Sequence, residues 1–206
     1  LSAMTANPSD PSNVHLKCKI SAFEGYLHVD RYRITHQLYG GGWSRVLERE
    51  VMSRGAVVGV LLFDPTRQEV VLVEQFRIGA WATDWPDPWL LECVAGVVEA
   101  GERPEEVAVR EAMEEAGCTI TRLELITRYL SNPGSSTEQV DLFCGRIDAT
   151  GVGGHHGLAG EGEDIRASVW PLDEALALLD GERICNPMTL ISLQWLSLHH
   201  ANMTIE

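Results

Sequence analysis

The chain has 206 residues, 45% of them hydrophobic, enough apolar side chain for one α/β domain with an additional small element. Its formal charge of −14 argues against nucleic acid or an anionic membrane surface as a partner. No apolar run approaches the roughly 20 residues needed to span a bilayer, and the opening LSAMTANPSDPSNVH lacks the charged-then-apolar layout of a secretory signal.

In chain order, residues 1–14 read as a disordered tail and residues 15–54 as an N-terminal β subdomain. Tyr26–His36 mixes aromatic and β-branched residues with polar ones, as half-exposed strands do. Gly40-Gly41-Gly42 then supplies a turn before Ser44–Val51. The larger domain spans 55–206. Ala56–Phe63 and Glu69–Phe76 flank Asp64-Pro65-Thr66-Arg67, a hairpin turn, and their nearly continuous hydrophobicity predicts a sheet covered on both faces.

Trp81–Trp89 reads as a loop entering a short strand over Leu90–Val94. A helix of about thirteen residues follows, with Pro104 at its first position and Gly117 as a left-handed C-cap. Leu123–Leu130 and Gln139–Ile147 are expected as strands around a Ser131–Glu138 loop. Gly151–Gly162 is a Gly/His-rich loop in which His155 and His156 read as solvated. Ser168–Trp170 is strand-like, Asp173–Leu179 helical, and Asn186-Pro187 caps a last helix running to about His199. The five cysteines form no CxxC pair, which points to reduced, mostly buried thiols and a cytoplasmic protein.

The helix between Pro104 and Gly117 carries the chemistry. Val109, Ala112, Met113 and Ala116 share a stripe at helical spacing and are expected to face the core. Glu111 and Glu115, four apart, are neighbours on another face and repel each other. Hard carboxylate oxygens so placed suit Mg²⁺ or Mn²⁺, ions that bridge to substrate phosphates. Such an ion would let an acidic chain take an anionic, phosphate-bearing ligand. Arg110 can orient one carboxylate, for instance through Glu106 or Glu114. Most glutamate-rich helices are simply solvated acidic faces. Here Gly96, Glu102, Arg110, Glu114 and Gly117 stand at fixed offsets around the pair, and seven such matches arise by chance at about one in 10⁸ start points.

The spacing G-x5-E-x7-R-E-x-x-E-E-x-G over Gly96, Glu102, Arg110-Glu111, Glu114-Glu115 and Gly117 resembles the Nudix box. Ala112 and Cys118 depart from the family's bulkier aliphatic positions, changes that touch packing. The resemblance implies an α/β fold, the Nudix α/β/α sandwich, preceded here by the N-terminal antiparallel β subdomain. Pro133, 16 positions after Gly117, stands where the family's ADP-ribose pyrophosphatase group carries a proline, in the small, polar turn SNPGSSTE. Val73-Glu-Gln-Phe-Arg77, Glu92-Cys-Val-Ala95-Gly96, Leu47-Glu48-Arg49-Glu50 and His156-Gly-Leu-Ala-Gly-Glu161-Gly-Glu163-Asp164-Ile165 are similar to that group as well.

Position by position, the resemblance implies that the Ala95 carbonyl, Glu111 and Glu115 bind Mg²⁺ (or Mn²⁺), with Glu163 completing the shell. Glu161 would be the general base, although the spacing does not decide between Glu161 and Glu163, and Glu138 is a distant third. Arg110 joins Glu111 and Glu115 among the catalytic residues. Arg49 and Glu50 would lie on the adenosine side, Arg77 toward the terminal phosphate, and Pro133 and Gly134 near phosphate or ribose. Tyr26 and Trp43 are stacking candidates. The expected reaction is hydrolysis of the pyrophosphate bond of ADP-ribose to AMP and ribose 5-phosphate, by a homodimer with exchanged N-terminal β regions. The alternatives are another nucleoside diphosphate derivative (GDP-mannose, another nucleotide sugar or NADH) and a catalytically silent nucleotide-binding module.

Overall fold

In the computed structural model, residues 11–158, 160 and 162–203 are described. The chain divides into two units, one formed by residues up to Gly55 with Leu130–Glu138, the other by Ala56–Tyr129 with the chain from Gln139 onward. The first unit is built on β1 (Val14–Glu24), β2 (His28–His36) and β3 (Leu47–Ser53), antiparallel and adjacent in that order. Asp30 on β2 is buried, and its carboxylate accepts from Lys19 Nζ at 2.9 Å and Ser53 Oγ at 2.8 Å and contacts His28 Nε2 at 3.1 Å. Those donors come from all three strands or their ends, so the buried charge fixes how the strands align. The 130–138 segment turns on Asn132, whose carbonyl accepts from Ser135 and Ser136, and Thr137 N–H donates to Met52 C=O.

The second unit follows from side-chain alternation. β4 (Ala56–Asp64) and β5 (Glu69–Phe76) pair antiparallel only beside their turn, from Leu62–Val71 to Asp64–Glu69. Asp64 holds that turn by accepting from the N–H groups of Thr66 and Arg67 at 2.9 and 3.0 Å. Beyond it the hairpin splays. After a short helix α1 (Ile78–Ala82), β6 (Trp89–Glu92) pairs with β5 and β7 (Val94–Val97) with β4. The 81–89 segment is thus not wholly a loop, since its first residues close a helical turn. Helix α2 (Pro104–Ala116), β8 (Arg122–Leu130), β9 (Gln139–Arg146), β10 (Gly154–His156), β11 (Ile165–Pro171), α3 (Leu172–Ala177) and α4 (Pro187–His199) complete the unit. The strands form one mixed sheet in the order β10-β11-β5-β4-β9-β8, with β4 and β9 parallel.

Both faces of the sheet are covered. Val58, Val60, Leu62, Val71 and Val73 pack with Ala108, Ala112 and Ala116 of α2, whereas Leu61, Phe63, Val70 and Leu72 pack with Leu193 and Leu196 of α4. Neighbours in sequence therefore serve opposite cores, the reason these strands show no polar alternation. Asn186 caps α4, its side chain accepting from Met188 and Thr189 N–H. Together the layers make an α/β/α arrangement, with the antiparallel sheet as a separate element.

Candidate active site

Helix α2 begins and ends where its local chemistry requires. Pro104 occupies its first turn, and Gly117 at φ 64° adopts the left-handed cap, with Gly117 N–H donating to Met113 C=O. Its rotation about its own axis differs from the sequence expectation. The buried residues are Val107, Ala108, Ala112, Glu115 and Ala116, whereas Val109 and Met113 are 45% and 49% exposed. The helix is turned so that Glu111 and Glu115 lie on the sheet side, with the small alanines letting it approach.

Gly96 on β7 explains how a carboxylate fits there. A Cβ at that position would fall well inside contact distance of the Glu111 carboxyl, so the first glycine of the box is a space for the glutamate fifteen residues later. Glu115 reaches the neighbouring residue, accepting from Ala95 N–H at 3.2 Å. Burial pushes the Glu115 carboxyl up to about 8; the Ala95 hydrogen bond opposes this, Glu111 and Glu163 reinforce it, and Arg77 opposes it in part. Glu111 is likewise raised, by burial first and by Glu114 and Glu163 next, against the pull of Arg110. Two carboxylates therefore face β7 without enough positive charge to balance them.

Arg110 is the cation placed among the box glutamates, and it serves three of these acids. Nη1 lies 2.8 Å from Glu111 and 3.2 Å from Glu114, and Nη2 lies 3.6 Å from Glu102. The expected Glu106 partner is replaced by Glu102, which also accepts from Glu99 N–H at 2.9 Å and so closes the loop before the helix. Arg110 is held above its ordinary value: partial burial opposes the charge, but Glu111, Glu102 and Glu114 outweigh it.

Glu163 belongs to the same unit, and its charge bears on both Glu111 and Glu115. Its carboxylate accepts from Leu158 N–H at 3.2 Å, and its own N–H donates to Leu158 C=O at 3.3 Å. Glu161 lies outside the described residues. Arg77 pairs through Nε with the buried Glu92 at 2.7 Å, and Glu92 also accepts from Asn186 Nδ2 at 2.6 Å. In the sequence Glu92 is read only as part of a strand end, but it is a lone acid in the apolar run Leu90–Ala95, the local sign of its buried ion pair.

The remaining candidates lie in the first unit. Arg49 donates to Glu48 C=O at 2.8 Å, Glu50 accepts from Arg31 Nη2 at 2.7 Å, and Tyr26 is 94% exposed. Pro133 and Gly134 sit in the Asn132 turn, and Trp43 stacks on His15 with ring centroids 3.9 Å apart.

As for a metal, no group of three or more His, Cys, Asp or Glu among the described residues is disposed to hold one. Each acid instead has its own protein partner: Arg110 for Glu111, Ala95 N–H for Glu115, Leu158 N–H for Glu163. The donor set still fits Mg²⁺ or Mn²⁺. Glu111 and Glu115 present hard oxygens side by side, and the burial that raises both is the kind of cost a divalent ion offsets.

A model of the NUDIX domain family matches residues 53–189. The chain is 42% identical over 195 residues to the ADP-ribose pyrophosphatase of Escherichia coli (strain K12), covering 95% of this chain and 93% of that protein. It is 40% identical over 183 residues to the ADP-ribose pyrophosphatase of Haemophilus influenzae, with 88% and 84% covered. A GDP-mannose pyrophosphatase from Cronobacter sakazakii is 34% identical over 151 residues, covering 73% of this chain and 78% of its own. Among solved structures, one described as an ADP compounds hydrolase superposes with a TM-score of 0.66 over 91% of this chain and 96% of that chain, at 17% identity.

Proposed function

We propose a specific hydrolysis for this chain, which belongs to the NUDIX domain family: cleavage of the pyrophosphate bond of ADP-ribose to AMP and ribose 5-phosphate, dependent on Mg²⁺ or Mn²⁺. The observation that carries the chemistry is the Glu111–Glu115 pair over Gly96, with Glu115 buried and short of positive charge. The substrate rests on the relatives that match nearly the whole chain, which are ADP-ribose pyrophosphatases, whereas the GDP-mannose enzyme matches a shorter stretch.

In this reading Glu111, Glu115 and the Ala95 carbonyl would hold the divalent ion, with Glu163 as a further ligand. When bound, such an ion neutralises pyrophosphate charge and helps activate water. Arg110 sets the Glu111 carboxylate while tying Glu102 and Glu114 to it. Glu161 takes the proton of the attacking water on the sequence pattern alone, with Glu163 the other carboxylate for that role. Arg77, braced by Glu92, presents positive charge toward the terminal phosphate. Pro133 and Gly134 approach phosphate or ribose, and Arg49, Glu50 and Tyr26 serve the adenosine side.

We further propose a homodimer with exchanged N-terminal β regions, working in the cytoplasm. Its support is apolar surface on β1, where Val14, Leu16, Ile20 and Phe23 are all exposed, a pattern more typical of an interface than of a free monomer surface. The five free cysteines agree with a reducing compartment. No helix of the described residues is long and apolar enough to cross a membrane.

A turnover panel of ADP-ribose, GDP-mannose, UDP-glucose and NADH, each with Mg²⁺ and Mn²⁺, tests the substrate. The proposal expects ADP-ribose to lead in kcat/KM by about tenfold or more, since polar pocket contacts commonly discriminate by at least that much. Equal rates would reduce the reading to a general nucleoside diphosphate hydrolase, and no turnover at all would favour a silent binding module.

A further inference from the structure

Between the metal-facing helix and the loop that carries Glu163 lie two consecutive residues that the chemistry above does not use. His156, the last residue of β10, packs against Gly117, the cap of α2. A Cβ on Gly117 would come within 3.1 Å of the imidazole Cε1, so Gly117 serves contact as well as backbone conformation. The same ring reaches back through Nε2 to Gly153 C=O at 3.3 Å. Its surroundings are otherwise open, for His156 and Gly117 both line a cavity of about 370 Å³ with Thr121, Asp148 and Val152.

The next residue, Gly157, is at φ 95° and donates its N–H to Glu114 C=O in the last turn of α2 at 3.4 Å. A Cβ there would strike Glu163 Cβ at 2.9 Å, so the absence of a side chain lets Glu163 fold back over this point. Leu158 then fixes Glu163 from both sides, its N–H to the carboxylate and its C=O to the Glu163 N–H. A continuous run of contacts leads from Gly117 through His156, Gly157 and Leu158 to Glu163.

We propose that His156 is a positioning residue, which latches the base of this loop onto the C-cap of α2 and so sets Glu163 against Glu111 and Glu115. It touches no reacting atom. It acts by making the helix that bears two of the proposed ligands and the loop that bears the third move as one body. The inference rests on the metal assignment above, and its test is chosen to be read without turnover.

Deuterium uptake is measured over peptides spanning 154–165 and over the β4–β5 hairpin, with and without Mn²⁺, in the wild type, His156→Ala and His156→Phe. Mn²⁺ affinity is followed in parallel by the paramagnetic resonance of the free ion. Loss of the imidazole is expected to raise uptake in 154–165 alone and to weaken Mn²⁺ binding about tenfold, as loss of residues that orient ligands commonly does. Phe, which keeps the packing on Gly117, is expected to restore most of both. With ADP-ribose, His156→Ala should lower kcat with KM within about twofold, the pattern of a lost arrangement rather than lost substrate binding. Wild-type uptake and affinity in His156→Ala would overturn the proposal. So would increased uptake spread equally through β4 and β5, which marks general destabilisation. A wild type that binds Mn²⁺ but does not cleave ADP-ribose would remove the substrate reading and leave this one in place.

Discussion

Asp30 in the antiparallel sheet and Glu115 in the box helix are equally buried, each 3% exposed, yet their surroundings are opposite. Lys19, Ser53 and His28 surround Asp30, and the Lys19 hydrogen bond first, then Ser53, hold its carboxyl down at about 2 despite burial. Glu115 has one backbone N–H, from Ala95, and burial carries it up to about 8. Low exposure alone therefore does not decide what an acid does; the donors beside it, and how much protein encloses it, do. Asp30 is finished when its sheet forms and belongs to stability. Glu115 is left incomplete by folding, and that is the condition expected of a group whose partner arrives from solution.

The largest effect that would break this contrast is on catalysis. Glu115→Gln, a near-isosteric neutral replacement, should lower kcat by on the order of 100-fold or more through loss of a metal ligand. It should at the same time leave Tm in chelator unchanged or higher at pH 8, because Gln carries no charge to bury. A fall in Tm with activity retained would assign Glu115 to structure instead. Gly96→Ala comes next: its methyl displaces Glu111, so activity should fall by roughly 100-fold, with a crystal structure or Mn²⁺ titration showing the shifted carboxylate. Retained Mn²⁺ affinity would mean that the glycine is not needed for Glu111.

For Asp30 the expected loss is of stability. Asp30→Ala strands Lys19 and Ser53 and should lower Tm by roughly 5 °C, measured by calorimetry. The mildest effect sharpens the comparison through pH. Glu115 has a folded value above its ordinary 4.5, so the stability linked to it is fully present below 4.5 and is lost as pH rises through about 8. Asp30 has a folded value below its ordinary 3.8, so its contribution is present above 3.8 and is lost as pH falls through about 2. Metal-free protein should accordingly lose Tm between pH 5 and 8, and saturating Mg²⁺ should flatten that slope. An unchanged slope with Mg²⁺ would separate Glu115 from the ion.

What was legible in the sequence was mostly local. Pro104 and Gly117 bracket α2, Asn186 caps α4 with its own side chain, and Asp64 ties the β4–β5 turn, each within a few residues of the feature it controls. The box likewise placed Glu111 and Glu115 side by side, because four-residue spacing does so on any helix. The rotation of that helix was not legible. Helical periodicity put Val109 and Met113 in the core, but the room offered by Gly96 on a different strand turned the glutamates inward instead. The same limit hid the pairing of β6 and β7 with different partners on either side of Cys93, and the seat of His156 on Gly117. These are long-range choices, made by which backbone leaves space, and a glycine's role in them appears only when its neighbour is known.

The account turns on Glu115 being a neutral buried acid that becomes a metal ligand, and proton release on metal binding tests this most directly. Titration of Mg²⁺ or Mn²⁺ into the protein at pH 7, in two buffers of different ionisation enthalpy, counts the protons expelled. The account predicts close to one proton per chain from the wild type, and a release diminished by about that amount in Glu115→Gln. Binding with no proton released, or with the same release from both proteins, would contradict it.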